Sequence, residues 1–364
     1  MQSFASLPPA IALFFVFIFG GIIGSFLNAC IHRMPRGIKL HSPRRSFCPS
    51  CKKALPWYFN LPIISYLALR GRCGFCKTPI PFRYLLVELI TVAFFVAVWL
   101  HYSFPIFFAY WIFCALMIGA TFIDIDHLII PDEFTWGGIV LGILFSFAIP
   151  EIMDANSRLI ALFTSLGSAA LGFFLLWGVV ELGKIAFGRK KITLDSEETF
   201  TWIREGETAH IRIGDEILQW EEIFSRTSDQ LILECSSLDQ LAESEGPGKL
   251  VFYFDRCLFN EKTYNLDDLD TFSGKVTQLI IPREAMGFGD VKFLGAIGAF
   301  LGWKAVFYTL FTSSVIGCFA GIALMLFRRQ KNGIVIPFGP YLAIGALTWL
   351  FGGQTLWNWY FRFF

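Results

Sequence analysis

The sequence predicts an all-α polytopic membrane protein of about eight transmembrane helices, interrupted by a basic cytoplasmic loop and a small soluble β-containing insertion. The first observation is composition: 55% of the 364 residues are hydrophobic and 42 are phenylalanine, a far larger apolar share than soluble domains carry. The second is a set of apolar runs close to the roughly 20 helical residues that cross a bilayer. The third is an acidic segment without any such run, which separates two membrane portions.

The apolar runs place the predicted helices along the chain. The first run follows no basic segment and precedes no clear small-residue cleavage site, so we expect a retained span and not a signal peptide. Val291–Gly302 is only half a span, and Gly302-Trp303 suggests a short helix that leads into the next one. The clearest runs are Ala10–Ala29, Tyr84–Leu100, Phe104–Ile123, Phe134–Ile149, Leu159–Phe187, Trp303–Phe327 and Phe338–Trp359.

Charge predicts the orientation of these helices. Residues 1–87 contain no Asp or Glu, whereas residues 31–83 carry 11 Lys and Arg. The positive-inside rule therefore makes this loop cytoplasmic and puts the N-terminus outside. Counting helices from there brings two further basic clusters to the cytoplasmic side, Arg189-Lys190-Lys191 and Arg328-Arg329-Gln330-Lys331.

The segment from Arg189 to Arg283 differs from the rest of the chain. It carries 19 acidic against 11 basic residues, a net charge of −8, and no run long enough to span a membrane. Short apolar or alternating stretches bounded by Gly, Ser, Asp and Pro indicate β-strands. These stretches are "AHIRIGDEIL", "QLILEC" and "KLVFYF". We expect a cytoplasmic, soluble insertion with a small core of its own.

Four of the nine cysteines form two Cys-x-x-Cys pairs, "CPSC" and "CGFC", in the basic loop. Cys48, Cys51, Cys73 and Cys76 therefore predict a zinc-knuckle loop in which four thiolates surround one ion. With all four positions filled by sulfur, such an ion is structural and does not activate water. Two disulfides are the alternative, although a reducing cytoplasm disfavours them. The five remaining cysteines are scattered and are expected to be small core residues.

Acidic residues gather where one predicted helix ends and the next begins, in "TFIDIDHLIIPDEF". Asp132 and Glu133 follow a proline and suit a solvated helix start. Asp124 instead follows an apolar run directly, at the membrane edge. Ionisable residues at such places are functional candidates.

Asp290 occupies a similar position on the same predicted side. Gly287 and Gly289 precede it and allow a tight turn and a close approach to a neighbour. Two facing carboxylates cannot both ionise readily, so one holds a proton while the other stays charged. This division of roles activates water against an amide bond. The sequence is consistent with a pairing of Asp124 with Asp290.

Other kinds of site find no support in the sequence. His32, His41 and His127 share no metal-ligand spacing, and each is typical of a surface or interfacial histidine. The chain contains neither a Gly-x-Gly-x-x-Gly nor a Walker motif, so no nucleotide site of these types is predicted. We expect no nucleic-acid partner.

The motifs together resemble one known family, the type IV prepilin peptidases, which are GxGD-type membrane aspartic proteases and N-methyltransferases. The resemblance covers most of the membrane portion in the family order, and the cysteine and Gly-x-Gly-Asp segments are highly specific in combination. It rests on "GSFLNACIHRMP", "CPSCKKALPWYFNLPIISYLALRGRCGFCKTPIPFRYLLVELIT", "IDIDHLIIPD", "AMGFGDVKFLGAIGAFLGW" and "IPFGPYLAIGA".

The resemblance implies that Asp124 and Asp290 are the catalytic pair. Asp124 stands seven residues before Pro131-Asp132, as the family pattern requires, which makes Asp126 a bystander. The family removes a basic leader after a glycine at the cytoplasmic face of the bacterial inner membrane. It acts on prepilins and on pseudopilins of type II secretion, then methylates the new N-terminus with S-adenosylmethionine.

Two departures from the family accompany this resemblance. The acidic insertion stands where the family has a short connection; it is either a docking module for pilus or secretion machinery, an attractor of basic leaders, or an inert tolerated insertion. No methyl-donor residue follows from the sequence; Glu88, a lone acid in a membrane helix, is a candidate for that role or for helix packing.

The basic loop is expected to hold anionic lipid. The expected segments are 1–30, 31–83, 84–188, 189–283 and 284–364.

Three other functions remain open from the residues. An intramembrane protease for other single-span proteins would use the same aspartates. A transporter or channel would use the acids to bind ions, and a non-enzymatic assembly protein would use the cysteine loop and the insertion as docking surfaces.

Overall fold

The structure is a computed structural model that describes residues 8–41, 46–48, 50–187, 189–205, 208–214, 216–223, 230–239, 247–260, 262–266, 269, 271–282, 287–327 and 337–362. The chain divides into two compact units. One comprises Met1–Trp177 and Met286–Phe364, and the other comprises Gly178–Ala285.

The first unit is built from helices. The helices of the described chain, in order, are α1 (Pro9–Arg33), α2 (Ile64–Ala68), α3 (Arg83–His101), α4 (Ile106–His127), α5 (Asp132–Ala148), α6 (Arg158–Phe187), α7 (Trp220–Ile223), α8 (Phe288–Phe327), α9 (Gly339–Thr348) and α10 (Gln354–Tyr360). The short α7 belongs to the second unit, and α6 extends into it.

Five helical segments of the described chain are long and apolar enough to cross a membrane, so the protein is a multi-pass membrane protein. They are Pro9–Arg36, Arg83–His101, Ile106–His127, Arg158–Gly183 and Phe288–Leu324. The expected number was eight. The difference comes from α5, which has 17 residues, from α9 and α10, which are separated by a π-helical turn, and from α8, which counts as one helix. The basic cluster Arg328–Lys331 lies outside the described residues.

Helix α8 is broken where the sequence predicted a half-span. Gly302 has φ of 81° and ψ of 173°, outside helical values, in a region that favours glycine. Such a break frees carbonyl groups, which must find partners inside a membrane protein. The hydroxyls of Ser146 and Ser165 both donate to the carbonyl of Ala299, at 3.2 and 2.8 Å. Serines on α5 and α6 therefore satisfy the backbone at the break.

Small residues let the membrane helices pack closely. A Cβ atom on Gly24 of α1 would lie 2.8 Å from the Cα of Glu88 on α3, and one on Gly142 of α5 would lie 2.7 Å from the Cβ of Ala299 on α8. Small residues at helix interfaces are typical of membrane proteins. These contacts fix α3 against α1 and α8 against α5, which matters because α3 and α8 carry candidate site residues.

The second unit contains one antiparallel sheet of eight strands in the order β3-β2-β1-β8-β4-β5-β6-β7. The strands are β1 (Arg189–Glu205), β2 (Thr208–Ile213), β3 (Glu216–Gln219), β4 (Leu231–Asp239), β5 (Gly248–Phe252), β6 (Arg256–Phe259), β7 (Lys262–Asn265) and β8 (Thr271–Pro282). The three stretches predicted as strands lie in β2 to β5, which confirms a β-containing insertion.

This sheet has its own hydrophobic core. Phe200, Trp202, Phe252 and Phe272 are at most 1% exposed, and Trp202 and Phe272 pack with ring centroids 5.5 Å apart. Buried aromatic rings contribute large apolar areas to a core. The unit therefore has a core independent of the helices, as the composition predicted.

Candidate active site and metal site

Asp124 lies in the last turns of α4, with a buried side chain. The helix ends three residues later. Leu128 takes the left-handed conformation, with φ of 56°, and its N–H donates to the carbonyl of Asp124 at 2.9 Å. This cap directs the chain away from α4 directly after the acid.

The N-terminus of α9 meets Asp124. The Gly339 N–H donates to Asp124 Oδ2 at 3.0 Å, and a Cβ atom on Gly339 would lie only 2.6 Å from that oxygen. Pro340 follows in the first turn, where proline costs no hydrogen bond. Free N–H groups and the dipole make a helix N-terminus a natural partner for an anion. Gly339 thus brings the start of α9 into direct contact with the carboxylate.

Asp290 lies in the first turn of α8, also buried. Its Oδ1 atom is buried and accepts no hydrogen bond from the part of the chain that the structure describes. A buried carboxylate oxygen without a partner is costly, and such a group is typical of a functional site. Of the two preceding glycines, Gly289 makes the close approach, because its Cβ would lie 3.2 Å from Ile130. A Cβ on Gly287 would make an ordinary contact of 3.7 Å with Asp290.

The structure brings the two aspartates together around Ile130. This buried side chain touches the position of a Gly289 Cβ on one side, and its Cδ1 lies 2.9 Å from the position of a Gly339 Cβ on the other. Asp124 Oδ2 lies 2.6 Å from the same Gly339 Cβ position, and Asp290 directly follows Gly289 in the chain. The end of α4 and the starts of α8 and α9 therefore form one site with two buried carboxylates.

Two ion pairs flank this site. Asp126 pairs with Arg83 at the start of α3, and Asp132 pairs with Lys292 on α8. Helix α5 begins at Asp132, where the sequence predicted a helix start. The acids near Asp124 therefore differ in environment: Asp126 and Asp132 face cations, whereas Asp124 faces a helix N-terminus.

We expect Asp126→Asn to retain leader cleavage within about threefold and to lower the free energy of unfolding by about 0.2–1 kcal/mol, the range for partly exposed ion pairs. The reason is that Asp126 contacts Arg83 and is about 28% exposed. Cleavage rates and chemical denaturation in detergent check this, with Arg83→Gln as the matched partner variant. A cleavage loss as large as that of an Asp124 variant would contradict the assignment of Asp126 to structure.

Glu88 makes a tertiary contact inside the first unit. Its Oε2 atom accepts the N–H of Ile63 at 2.7 Å. Glu88 therefore links α3 to the cysteine loop through the backbone of Ile63.

The two cysteine pairs have the same local structure. The Cys48 N–H donates to the Lys53 carbonyl at 3.0 Å, and the Cys73 N–H donates to the Thr78 carbonyl at 2.9 Å. Each hairpin closes with an isolated β-bridge. In each, the residue after the second cysteine has a positive φ: Lys52 at 56° and Lys77 at 61°. Such knuckles point both thiols of a pair to one side.

The four thiols converge on one point. All four Sγ atoms lie within 4.8 Å of one another, and Cys48 Sγ is 3.8 Å from Cys76 Sγ. A tetrahedral site with Zn–S bonds of about 2.3 Å places its sulfurs about 3.8 Å apart, whereas a disulfide needs about 2.05 Å. The thiols therefore fit a metal ion, and the cysteines are free.

Hydrogen bonding prepares Cys76 for such a role. The side chain and then the backbone N–H of Thr78 lower the pKa of the Cys76 thiol to about 6. The thiolate is the form that binds metal. Among the other cysteines, Cys30, Cys114, Cys235 and Cys257 are buried as predicted, while Cys318 is exposed.

Sequence reasoning missed Gly339 and Ile130 as parts of the site. The segment "IPFGPYLAIGA" entered only through the family resemblance, although Gly-Pro before an apolar run is a helix-start signal. Ile130 carried no signal, since an isoleucine between a helix end and a proline looks like ordinary connecting sequence.

The fold and the site define a class: a multi-pass membrane protein with a buried pair of aspartates, a four-cysteine loop and a β-sheet insertion. Residues 18–102 match the Bacterial Peptidase A24 N-terminal domain. Residues 111–192 and 250–322 match the Type IV leader peptidase family. The chain belongs to the type IV leader peptidase family.

Several curated relatives carry the name prepilin leader peptidase/N-methyltransferase. The protein from Aeromonas hydrophila is 28% identical, over 95% of this chain and 92% of the relative. The protein from Legionella pneumophila is 25% identical over 94% and 92%. The protein from Myxococcus xanthus is 36% identical, over 52% of this chain and 56% of the relative. No solved structure matches the chain significantly.

Proposed function

We propose that this protein is a membrane aspartic endopeptidase that removes the basic leader of type IV prepilins or type II secretion pseudopilins. It then methylates the new N-terminus with S-adenosylmethionine. The family and the names of relatives that span nearly the whole chain support both activities. The observation that carries the peptidase assignment is the pair of buried carboxylates, Asp124 and Asp290, one of which has an oxygen without a partner among the described residues.

In this proposal Asp124 is the general base. The Gly339 N–H on its Oδ2 stabilises the charged carboxylate, which takes a proton from water as that water attacks the carbonyl carbon of the last glycine of the leader. Asp290 is the general acid, and its free Oδ1 is available to donate a proton to the carbonyl oxygen. When the tetrahedral intermediate collapses, the C–N bond breaks, the leaving amine takes the proton from Asp124, and Asp290 regains its own.

We assign a structural zinc ion to Cys48, Cys51, Cys73 and Cys76. The sulfur separations suit tetrahedral thiolate coordination, and four protein ligands leave no position for a reacting water. The ion would stabilise a loop whose described part has three short helical pieces and two isolated bridges. Hydrolysis is assigned to the aspartates alone.

We expect the double variant Cys48→Ser, Cys51→Ser to reduce bound zinc from about one ion per chain to nearly none. The melting temperature should also fall, because metal binding stabilises only the folded loop. Metal analysis of the purified protein checks this. Cys318→Ser, at an exposed cysteine on α8, is the matched control and should keep its metal. Equal zinc in all three proteins would overturn the site.

The proposed topology has eight spans, with the N-terminus outside and the aspartates at the cytoplasmic face of the bacterial inner membrane. The spans are α1, α3, α4, α5, α6, the two halves of α8 and the pair α9–α10. Basic residues of the loop and the exposed apolar side chains of Trp57, Ile64 and Leu67 support contact with anionic lipid. The functional segments are 1–30, 31–83, 84–188, 189–283 and 284–364.

The insertion at 189–283 is proposed as a docking module for pilus or secretion machinery. Its separate core and net charge of −8 support an independent role. The family model leaves residues 193–249 unmatched.

Deleting the insertion should leave a protein that still cuts a purified substrate but associates more weakly with the pilus or secretion machinery.

An intact-mass assay tests the function directly. Membranes containing the protein are incubated with a prepilin, with and without S-adenosylmethionine, and the product is weighed by mass spectrometry. Loss of the leader in both reactions, and one added methyl group only with the donor, is the expected result. An unchanged prepilin mass with well-folded protein would contradict the peptidase, and cleavage without methylation would contradict the second activity.

A further inference from the structure

Away from the aspartate site, the first unit contains a cavity lined by apolar and polar groups. It lies between the C-terminal half of α1, the cysteine loop and the start of α3. Its lining combines aromatic rings with polar groups, including Asn28, Phe59, Tyr66, Tyr84 and Glu88. Concave sites with apolar walls and a few converging polar groups are typical of small-molecule binding. The peptidase mechanism uses none of these side chains.

Asn28 is the strongest sign of a ligand. It is only 3% exposed, and its Nδ2 donates to the carbonyl of Tyr84 at 2.9 Å. Its Oδ1 is buried and accepts no hydrogen bond from any residue the structure describes. Because Asn28 lines the cavity, a molecule bound there could donate a hydrogen bond to its Oδ1 atom. Leaving such an acceptor unpaired is costly, so a bound molecule that donates to it gains affinity.

The cavity wall is also held in a strained conformation. Ile63 has φ of 62° and ψ of −50°, and the Ile64 N–H donates to the Pro62 carbonyl, which is the pattern of a γ-turn. This conformation is unfavourable for a β-branched residue. Glu88 stabilises it by accepting the Ile63 N–H at 2.7 Å. Strain maintained by surrounding contacts is characteristic of preorganised sites.

We propose that this cavity binds S-adenosylmethionine, an assignment that rests on the proposed function. The donor carries a positive sulfonium, an ammonium group, two ribose hydroxyls and an adenine ring. The cavity offers acceptors in Asn28 Oδ1 and the Glu88 carboxylate, which also complements positive charge, and the rings of Phe59, Tyr66 and Tyr84 offer faces for adenine. Asn28 and Glu88 are assigned as binding residues.

The cavity adjoins the aspartate site. Tyr84 in its wall follows Arg83, whose side chain pairs with Asp126, two residues beyond Asp124. The pair Arg83–Asp126 thus connects the start of α3, which lines the cavity, to the end of α4, which carries Asp124.

Methyl transfer needs only the donor and the new N-terminal amine as reactants. The nitrogen lone pair forms a bond to the methyl carbon, the C–S bond breaks with its electrons returning to sulfur, and the nitrogen loses one proton to solvent. The protein's part is to bind and orient. Asn28 and Glu88 fix the donor, and the strained turn at Ile63 keeps the loop wall in place.

Binding of radiolabelled S-adenosylmethionine to the full-length protein in detergent tests this, without any peptide substrate. Asn28→Ala should weaken binding at least tenfold. Ala29→Leu adds bulk to a cavity-lining residue, keeps all polar groups, and should do the same. Asp154→Asn, in a separate polar cavity, is the matched control and should bind normally. Metal content and melting temperature verify that each variant folds.

The possible failures are distinguishable. If the wild type binds the donor and methylates its product while Asn28→Ala and Ala29→Leu bind as tightly, the donor site lies elsewhere and the inference is overturned. If the wild type cleaves prepilin but neither binds the donor nor methylates, the methyltransferase part of the proposed function fails, and this site fails with it. Photo-crosslinked donor attached to residues 25–88 would support the placement.

Discussion

Asp290→Asn is expected to reduce leader cleavage by about 10²–10⁴-fold, the contribution typical of a general acid or base, while the protein remains folded. Asparagine has nearly the same shape as aspartate but holds no transferable proton. Because Asp290 is protonated in the proposed mechanism, the substitution removes no charge and should not destabilise the helix packing around it. Single-turnover cleavage of a purified prepilin, followed by intact mass, measures the loss.

The companion variant Asp124→Asn should show a similar loss, since the proposed mechanism needs both carboxylates. The double variant should be about as slow as either single variant, because groups that act as a unit give non-additive effects. Retained donor binding in all three proteins would verify that the rest of the molecule is intact. A folded single variant that cuts at the wild-type rate would refute the aspartate mechanism.

Those features of the two sites that depend only on neighbouring residues could be predicted from the sequence. Each Cys-x-x-Cys knuckle is a hairpin of a few residues, so its spacing alone indicates that two thiols point the same way. Asp124 and Asp290 could be identified because each carboxylate sits at the end of an apolar run, where a charge has a cost. The local sequence, however, contains no information on how two distant helix ends meet.

Contacts between distant residues account for what the sequence did not predict. Gly339 reaches Asp124 across 215 residues, and Ile63 reaches Glu88 across 25. Both contacts use a backbone N–H, a group that every residue except proline carries and that therefore leaves no mark in the sequence. Ile130 contributes only packing contacts, with Gly289 and Gly339, and both of these residues are distant from it in the sequence.

Helix breaks limited the prediction of the membrane portion. Gly302 was recognised as a boundary because glycine and tryptophan follow a half-span. The π-helical turn Trp349–Gly353 had no comparable signal, because "WLFGG" is apolar enough to continue a helix. In the insertion, the alternation of short strands was visible, but the pairing of β1 with β8, the first and last strands, is a long-range property of the sheet.

Gly339→Ala is expected to lower leader cleavage by about 10²-fold, the loss that a displacement of about 1 Å at a reacting group can cause. The added Cβ would lie 2.6 Å from Asp124 Oδ2 and 2.9 Å from Ile130 Cδ1. Real contacts of this kind do not occur, so α9 or the Asp124 side chain must shift. Either movement lengthens the hydrogen bond from the Gly339 N–H that holds the carboxylate.

The same substitution at Gly137 of α5 provides the matched control, because a Cβ there meets nothing within 4 Å. Gly137→Ala should cut normally and be slightly more stable, since alanine favours a helix over glycine by about 1 kcal/mol. Steady-state kinetics separate a positioning role from a purely structural one. If Gly339 positions Asp124, kcat falls while KM changes little, because a carboxylate displaced from its partner weakens the chemical step more than substrate binding. A fall in melting temperature with unchanged kcat would instead make the contact a packing feature, and the start of α9 would have no part in catalysis.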